Sequence, residues 1–314
     1  MSTSPHREVE HEIVIAAPAS KVYRLIAEVE NWPQLFPPTI FVDHIERSDR
    51  SERIRIWALA NGQAKTWTSR RELDPTSLRI TFRQEVSAHP VAAMGGAWYF
   101  EALTPDETRV RLLHDYRAVN DEPTDLAWID EAVDRNSQAE LVALKSIAET
   151  AEETAELTFA FTDTVQVDGS VKDVFDFINQ AERWTERLPH VAAVTLAEEQ
   201  PGVQTLEMTT RAKNGSTHLT KSYRVTFPHQ RIAYKQVTLP ALLAVHTGIW
   251  TFTENGSGVA ASSQHTVVLN PTNIAHVLGP DADVAQARSY VRNALSSNSL
   301  ATLEHARTYA EQHR

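Results

Sequence analysis

The chain matches itself at a shift of about 152 residues, and this repeat limits the possible folds more than any other feature. Trp32 maps onto Trp184, Val22 onto Val174, Arg79-Ile80 onto Arg231-Ile232, and Gly96/Trp98/Phe100 onto Gly248/Trp250/Phe252, all at an offset of 152. Asn61-Gly62 and Asn214-Gly215 each open a strand-like run. Within it Ser69-Arg70-Arg71 is matched by Ser222-Tyr223-Arg224, and 224 − 71 = 153. Solenoid repeats run to about 20–50 residues, so a period this long marks a duplicated domain. The 314 residues suit two domains, with the boundary expected at 1–155 and 156–314. Each half is large enough to bury a core of its own.

Each half reads as strand, short helices, six strands, long helix. In the first, Val9, His11, Ile13 and Ile15 alternate with polar residues as a strand, and Val22, Tyr23, Leu25 and Ile26 follow at helical spacing. Asn31-Trp32-Pro33 ends that helix. Strand-like runs are expected over 39–46, 52–60, 64–73, 78–86, 95–103 and 108–119, and a helix over 124–153. The second half repeats the order, with its closing helix over 283–312 and an insertion rich in Pro and Gly from Asn270 to Asp281. The expected fold is α+β: two tandem helix-grip domains, each a curved seven-stranded antiparallel sheet wrapped on a long C-terminal helix with two short helices. A sheet bent that strongly leaves room for a ligand between itself and the helix.

The composition removes several classes of function. There are no cysteines, so disulfides, thiolate nucleophiles and Cys-ligated metals are excluded. A net charge of −11 argues against nucleic acid as a partner. No apolar run approaches the roughly 20 residues of a membrane helix, and the start lacks the apolar core of a signal peptide. The expectation is a cytoplasmic protein without membrane association. No His/Asp/Glu spacing suggests a metal, no Gly-rich loop suggests a phosphate, and no Ser-His-Asp order stands out, so no cofactor is expected.

On the strand after Asn61-Gly62, Lys65, Trp67, Ser69, Arg71 and Leu73 share one face. Indole, hydroxyl and guanidinium make a poor dry core but a suitable wall for an oxygen-rich ligand. On the long helix the apolar stripe of Leu141, Leu144 and Ala148, extended backwards, reaches Ser137, Asp134 and Asp130. Carboxylates on a buried face need water or a partner, which makes Asp134 a candidate proton relay at the cavity mouth.

The runs Trp32-Pro33-Gln34-Leu35-Phe36, Trp67-Thr68-Ser69-Arg70-Arg71, Pro90 to Met94 with Trp98, and Leu112-Leu113-His114-Asp115-Tyr116 resemble the aromatase/cyclases of bacterial aromatic (type II) polyketide synthesis. The resemblance covers both halves, as in the di-domain type. It implies that Arg71 points into the cavity with Ser69 and Trp67 beside it, as an oxyanion clamp for the enolate and alkoxide of an aldol closure. It further implies His114 as acid/base and Trp32, Phe36, Trp67, Gln84, Met94, Trp98 and Tyr116 as substrate-binding residues. Some relatives carry a cavity Tyr near Pro38-Thr39 and a second arginine at Gln84, and this chain lacks both.

The function implied is first-ring aldol closure, C7–C12, followed by dehydration of a C9-reduced poly-β-ketone carried on the phosphopantetheine of an acyl carrier protein. The alternative is a non-catalytic carrier of a lipid, sterol or quinone-like molecule. A monomer or weak homodimer is expected, with Arg47, Arg50, Arg53 and Arg55 as the carrier's docking cluster. In the second half Thr220 replaces Trp67, and His265 is expected one or two residues out of register with His114. The first half is therefore expected to carry the chemistry.

Overall fold

The structure, a computed structural model, describes residues 6–211, 215 and 217–313, without the side chains of 151–154. Asn214, expected to open the second domain's matching turn, lies outside the described residues. The chain divides into two compact units, Met1–Glu152 and Glu153–Arg314.

The first unit holds strands β1 (Arg7–Ile15), β2 (Thr39–Arg47), β3 (Ser51–Ala60), β4 (Gln63–Asp74), β5 (Arg79–Val86), β6 (Val91–Thr104) and β7 (Glu107–Ala118). Helices α1 (Ala19–Ala27) and α2 (Trp32–Leu35) lie between β1 and β2, and α3 (Pro123–Thr154) closes the unit. The strands form one antiparallel sheet in the order β1-β7-β6-β5-β4-β3-β2. Asn61 and Gly62 take φ values of 49° and 76°, the left-handed pair that a two-residue hairpin turn requires. That turn sets the β3–β4 register, which runs unbroken from Ala60↔Gln63 to Glu52↔Arg71. Strand β6 starts four residues before the expected position, because Val91 to Met94 continue to pair with β7.

One row of inward residues crosses the sheet: Glu52, Arg71, Phe82, Gly96 and His114 are successive Cα partners. Gly96 is needed there, since a Cβ would come within 1.9 Å of the Leu113 carbonyl oxygen and 2.7 Å of the Phe82 ring. The apolar side chains gather into separate clusters. The largest joins Ile80, Trp98, Val110 and Leu112 of the sheet to Val22 and Ile26 of α1 and Leu144 of α3. Tyr116, Ile129 and Val133 belong to a second, and Val42, Ile54 and Ile56 to a third. Each fully buried side chain of this kind contributes about 1.5–3 kcal/mol.

The second unit repeats the plan. Its strands are β8 (Thr158–Val167), β9 (Val191–Gln200), β10 (Val203–Arg211), β11 (Thr217–Phe227), β12 (Arg231–Thr238), β13 (Leu243–Asn255) and β14 (Gly258–Leu269). They are ordered β8-β14-β13-β12-β11-β10-β9. Helices α4 (Val171–Asn179), α5 (Trp184–Arg187) and α6 (Ile274–Leu278) precede the closing helix α7 (Val284–Gln312). Asp283 and Gln286 form a capping box at its start, satisfying two otherwise orphaned N–H groups. The insertion from 270 to 281 is built into the unit: it forms α6, whose Ile274 is buried with Leu242, Leu269 and Val291.

One expectation is overturned by the register. His265 pairs with Gly248 as His114 pairs with Gly96, so the two histidines occupy equivalent rungs. The sequence offset is one residue short because the β6–β7 ladder contains an irregularity between Ala102 and Thr104. The β13–β14 ladder runs evenly from Gly248 to Asn255. A bulge absorbs one residue without turning the rest of the strand over.

Candidate active site

In the first unit the apolar clusters leave a polar band across the middle of the concave face. Arg71 sits in it, 2% exposed. Its Nη1 donates to Glu52 Oε1 at 2.5 Å and its Nη2 to the Ile26 carbonyl at 2.6 Å. The Trp32 ring lies 4.9 Å from the guanidinium carbon. The other Glu52 oxygen receives His44 Nε2 at 2.9 Å. Burial pulls the Arg71 guanidinium down from its usual range, and Glu52 opposes this. A buried cation and a buried anion thus cancel, and each would be costly alone. Ser69 lies next along β4, also buried.

Farther along the band several buried polar atoms have no partner among the described residues. They include Trp32 Nε1, Gln84 Oε1 and His114 Nδ1. Gln84 Nε2 reaches only the Met94 sulfur, at 3.4 Å. His114 packs edge-on against Phe82, ring centroids 5.4 Å apart, and burial lowers its pKa to about 4. The imidazole is therefore neutral at physiological pH. Unsatisfied buried donors and acceptors cost about 1–3 kcal/mol each, so their concentration on one wall marks a place for an oxygen-bearing ligand.

Two carboxylates of α3, Asp134 and Glu140, differ in their surroundings. Asp134 is 62% exposed, accepting from His11 Nε2 at 3.0 Å and from Gln138. It belongs to the outer edge of α3 and not to the interior. A step of three along a helix drifts about 60° off the face, whereas a step of four stays near it. Four residues before Leu144 lies Glu140. It is half-buried and forms no hydrogen bond or ion pair among the described residues. Burial raises its pKa to about 8, so at neutral pH it is largely a protonated acid.

The other expected substrate-binding residues divide in two. Trp32, Trp67, Gln84 and Met94 are half-buried along the polar band. Phe36 and Trp98 are core residues at 2% and 5% exposure, Trp98 stacked on Phe100. Tyr116, 1% exposed, donates to Asp130 at 2.6 Å and anchors the start of α3. These three hold the wall from behind.

Sequence reasoning missed Glu52 and Glu140, although both had a signal. The two-residue Asn61-Gly62 turn fixes which β3 residue faces Arg71, and four-residue stepping along α3 finds Glu140. In the second unit it named His265 but missed the group that residue joins on the concave face, with half-buried Tyr234 and buried His246. His265 Nδ1 lies 3.0 Å from both the Tyr234 hydroxyl and His246 Nε2.

The chain matches the family model described as "Polyketide cyclase / dehydrase and lipid transport" twice, over residues 6–149 and 158–306. It is 54% identical over 300 residues to the granaticin polyketide synthase bifunctional cyclase/dehydratase of Streptomyces virginiae, covering 94% of this chain and 97% of that one. It is 45% identical to the actinorhodin polyketide synthase bifunctional cyclase/dehydratase of Streptomyces coelicolor, covering 98% of each. Among solved structures, the di-domain ARO/CYC BexL from the BE-7585A biosynthetic pathway matches with a TM-score of 0.86 and 60% identity, over 97% of this chain and 99% of that one. Two family matches in tandem and full-length likeness to two-domain relatives lead to one conclusion: this chain belongs to the polyketide cyclase/dehydrase family, in its di-domain form.

Proposed function

We propose that the first domain closes and dehydrates the first ring of a poly-β-ketone delivered by an acyl carrier protein, joining C7 to C12 of a C9-reduced chain. What supports this reading best is the polar band itself, whose buried donors and acceptors have no partner among the described residues, together with the protonated Glu140 on α3.

The chemistry assigns each group a step. Neutral His114 takes a proton from an activated methylene, and the electron pair moves onto the neighbouring carbonyl oxygen as an enolate. Arg71 has five N–H donors, two of them committed to Glu52 and Ile26; the rest hold the developing oxyanion, with the Ser69 hydroxyl beside them. The enolate carbon attacks a second carbonyl, and the new alkoxide takes back a proton to become an alcohol. In the dehydration His114 removes the adjacent C–H proton while Glu140 gives its proton to the leaving hydroxyl. The C–O bond breaks, a C=C bond forms, and water departs. The proton on His114 then returns to Glu140 through solvent. Trp32, Trp67 and Met94 hold the folded chain, and Gln84 Oε1 accepts a hydrogen bond from one of its hydroxyl or enol groups.

The non-catalytic carrier reading makes the opposite prediction for purified protein. Mass spectrometry of extracted ligand should find no retained lipid or sterol. In a synthase reconstituted with isotopically labelled extender units, NMR of the product should show the C7–C12 bond. A stoichiometric bound lipid together with no change in the synthase's product pattern would sink the proposal.

A further inference from the structure

The two domains treat the same buried arginine differently. On β3 the rung partner of Arg71 is Glu52; on β10 the rung partner of Arg224 is Gln204. Arg224 is 3% exposed and touches no carboxylate among the described residues. Its Nη2 donates to the Ile178 carbonyl at 2.9 Å, its Nη1 reaches the Asn179 carbonyl at 3.5 Å, and the Trp184 ring lies 5.6 Å away. Gln204 turns its Nε2 to Glu198 at 2.8 Å and to Asn179 Oδ1 at 3.3 Å, and its Oε1 is buried without a partner among the described residues. Glu182 and Glu198 favour the charged guanidinium only from a distance, and burial lowers its pKa to about 10. Arg224 is therefore a full positive charge inside the domain with most of its donors unclaimed, a costly arrangement unless an anion completes it.

A second polar group lies on the same rung. Arg224, Tyr234, Gly248 and His265 are successive Cα partners, so at about 4.8 Å per strand the row spans roughly 14 Å. Gly248 leaves the space the phenol occupies: a Cβ there would meet the Tyr234 hydroxyl at 2.3 Å. His246 Nδ1 donates to Gln236 Oε1 at 2.9 Å, which leaves its Nε2 to accept from His265 Nδ1. Ser263 Oγ then donates to His265 Nε2 at 3.1 Å. This chain fixes the imidazoles and holds the phenol oxygen in one place. The first domain has Phe82 and Met94 at the positions of Tyr234 and His246, so the polar set belongs to the second domain alone.

We propose that the interior of the second domain is a separate binding site for the carboxylate of a planar polyketone or fused-ring phenol, with Arg224 taking the carboxylate and Tyr234 a keto or hydroxyl oxygen farther along the ligand. The ligand class rests on the polyketide reading above; the site does not depend on which domain performs the ring closure.

The test is calorimetric titration of the full chain with a dihydroxyanthraquinone carboxylate and with its decarboxylated analogue. Arg224→Met should weaken the acid about tenfold or more, with the stoichiometry falling by one, and leave the analogue within about twofold. The double variant Gln204→Glu/Glu198→Gln exchanges an amide and a carboxylate, keeps the net charge, and pairs Arg224 as Arg71 is paired. It should lose the acid to the same extent while its thermal unfolding stays at or above the wild-type temperature. Tyr234→Phe, which installs the first domain's own residue, should weaken both ligands. Unchanged affinity for the acid in the exchange variant overturns the proposal, as does equal weakening of acid and analogue in Arg224→Met. Turnover plays no part in these measurements, so failure of the ring-closure reading would leave their outcome unaffected.

Discussion

Replacing Glu52 with Gln should destabilise the first domain severely. The carboxylate is 1% exposed and bonds both Arg71 and His44. Removing it leaves the Arg71 cation, 2% exposed, without its counter-charge. Breaking a buried pair from one side costs on the order of 3–5 kcal/mol. With a urea slope of about 2–3 kcal/mol per molar, the midpoint of the first domain's transition should fall by roughly 1–2 M. Tryptophan fluorescence follows that transition well, because Trp32, Trp57, Trp67, Trp98 and Trp128 all lie in the first domain. The double variant Glu52→Leu/Arg71→Met should recover most of the stability, since replacing both charges with apolar groups is often neutral. It should still fail to close rings. A single variant within about 0.5 kcal/mol of wild type would show that the pair is not the structural centre described here.

Further outcomes follow from individual residues. Burial raises the Glu140 pKa from its ordinary 4.5 to about 8, so the folded state binds the extra proton. Its contribution to stability is complete below about pH 4.5 and is lost as pH rises through about 8; Glu140→Gln should remove that slope from pH-dependent denaturation curves. Arg71→Lys keeps the charge but loses the planar fork, so ring-closure yield should drop at least tenfold while circular dichroism stays unchanged. Gly96→Ala should lower the melting temperature by several degrees or prevent folding, because the clashing Leu113 oxygen is backbone; an unchanged melting curve would contradict the close β6–β7 approach. For carrier docking, Arg47 is paired with Glu30 and Arg53 with Glu85, whereas Arg50 and Arg55 form no ion pair among the described residues. Charge reversal at Arg50 and Arg55 should slow carrier-dependent turnover, by a factor that shrinks with added salt.

The architecture was legible because strand alternation, the Asn61-Gly62 turn and the long repeat all point the same way. The site was legible only in part. Arg71, Ser69 and His114 were singled out from a strand face and from family likeness, and they lie along one polar band. Asp134 was reached by a four-residue step from Leu141 to Ser137, which is buried, and then a three-residue step that left the buried face, while the four-residue step from Leu144 to Glu140 was passed over. His265 was displaced by simple counting, because a bulge in one hairpin cannot be seen in residue numbers. Phe36, Trp98 and Tyr116 show the remaining difficulty: an aromatic residue behind a cavity wall and one on its surface have the same sequence signature, and only packing separates them.

The most direct test of the account is the product distribution of a reconstituted synthase with this protein as its only cyclase. Wild type, His114→Asn and Glu140→Gln would be compared under identical carrier loading. The account predicts an aromatic first ring with wild type, little ring closure above the spontaneous background with His114→Asn, and accumulation of the cyclised, still hydroxylated intermediate with Glu140→Gln. Wild-type amounts of aromatic product from both variants would contradict it.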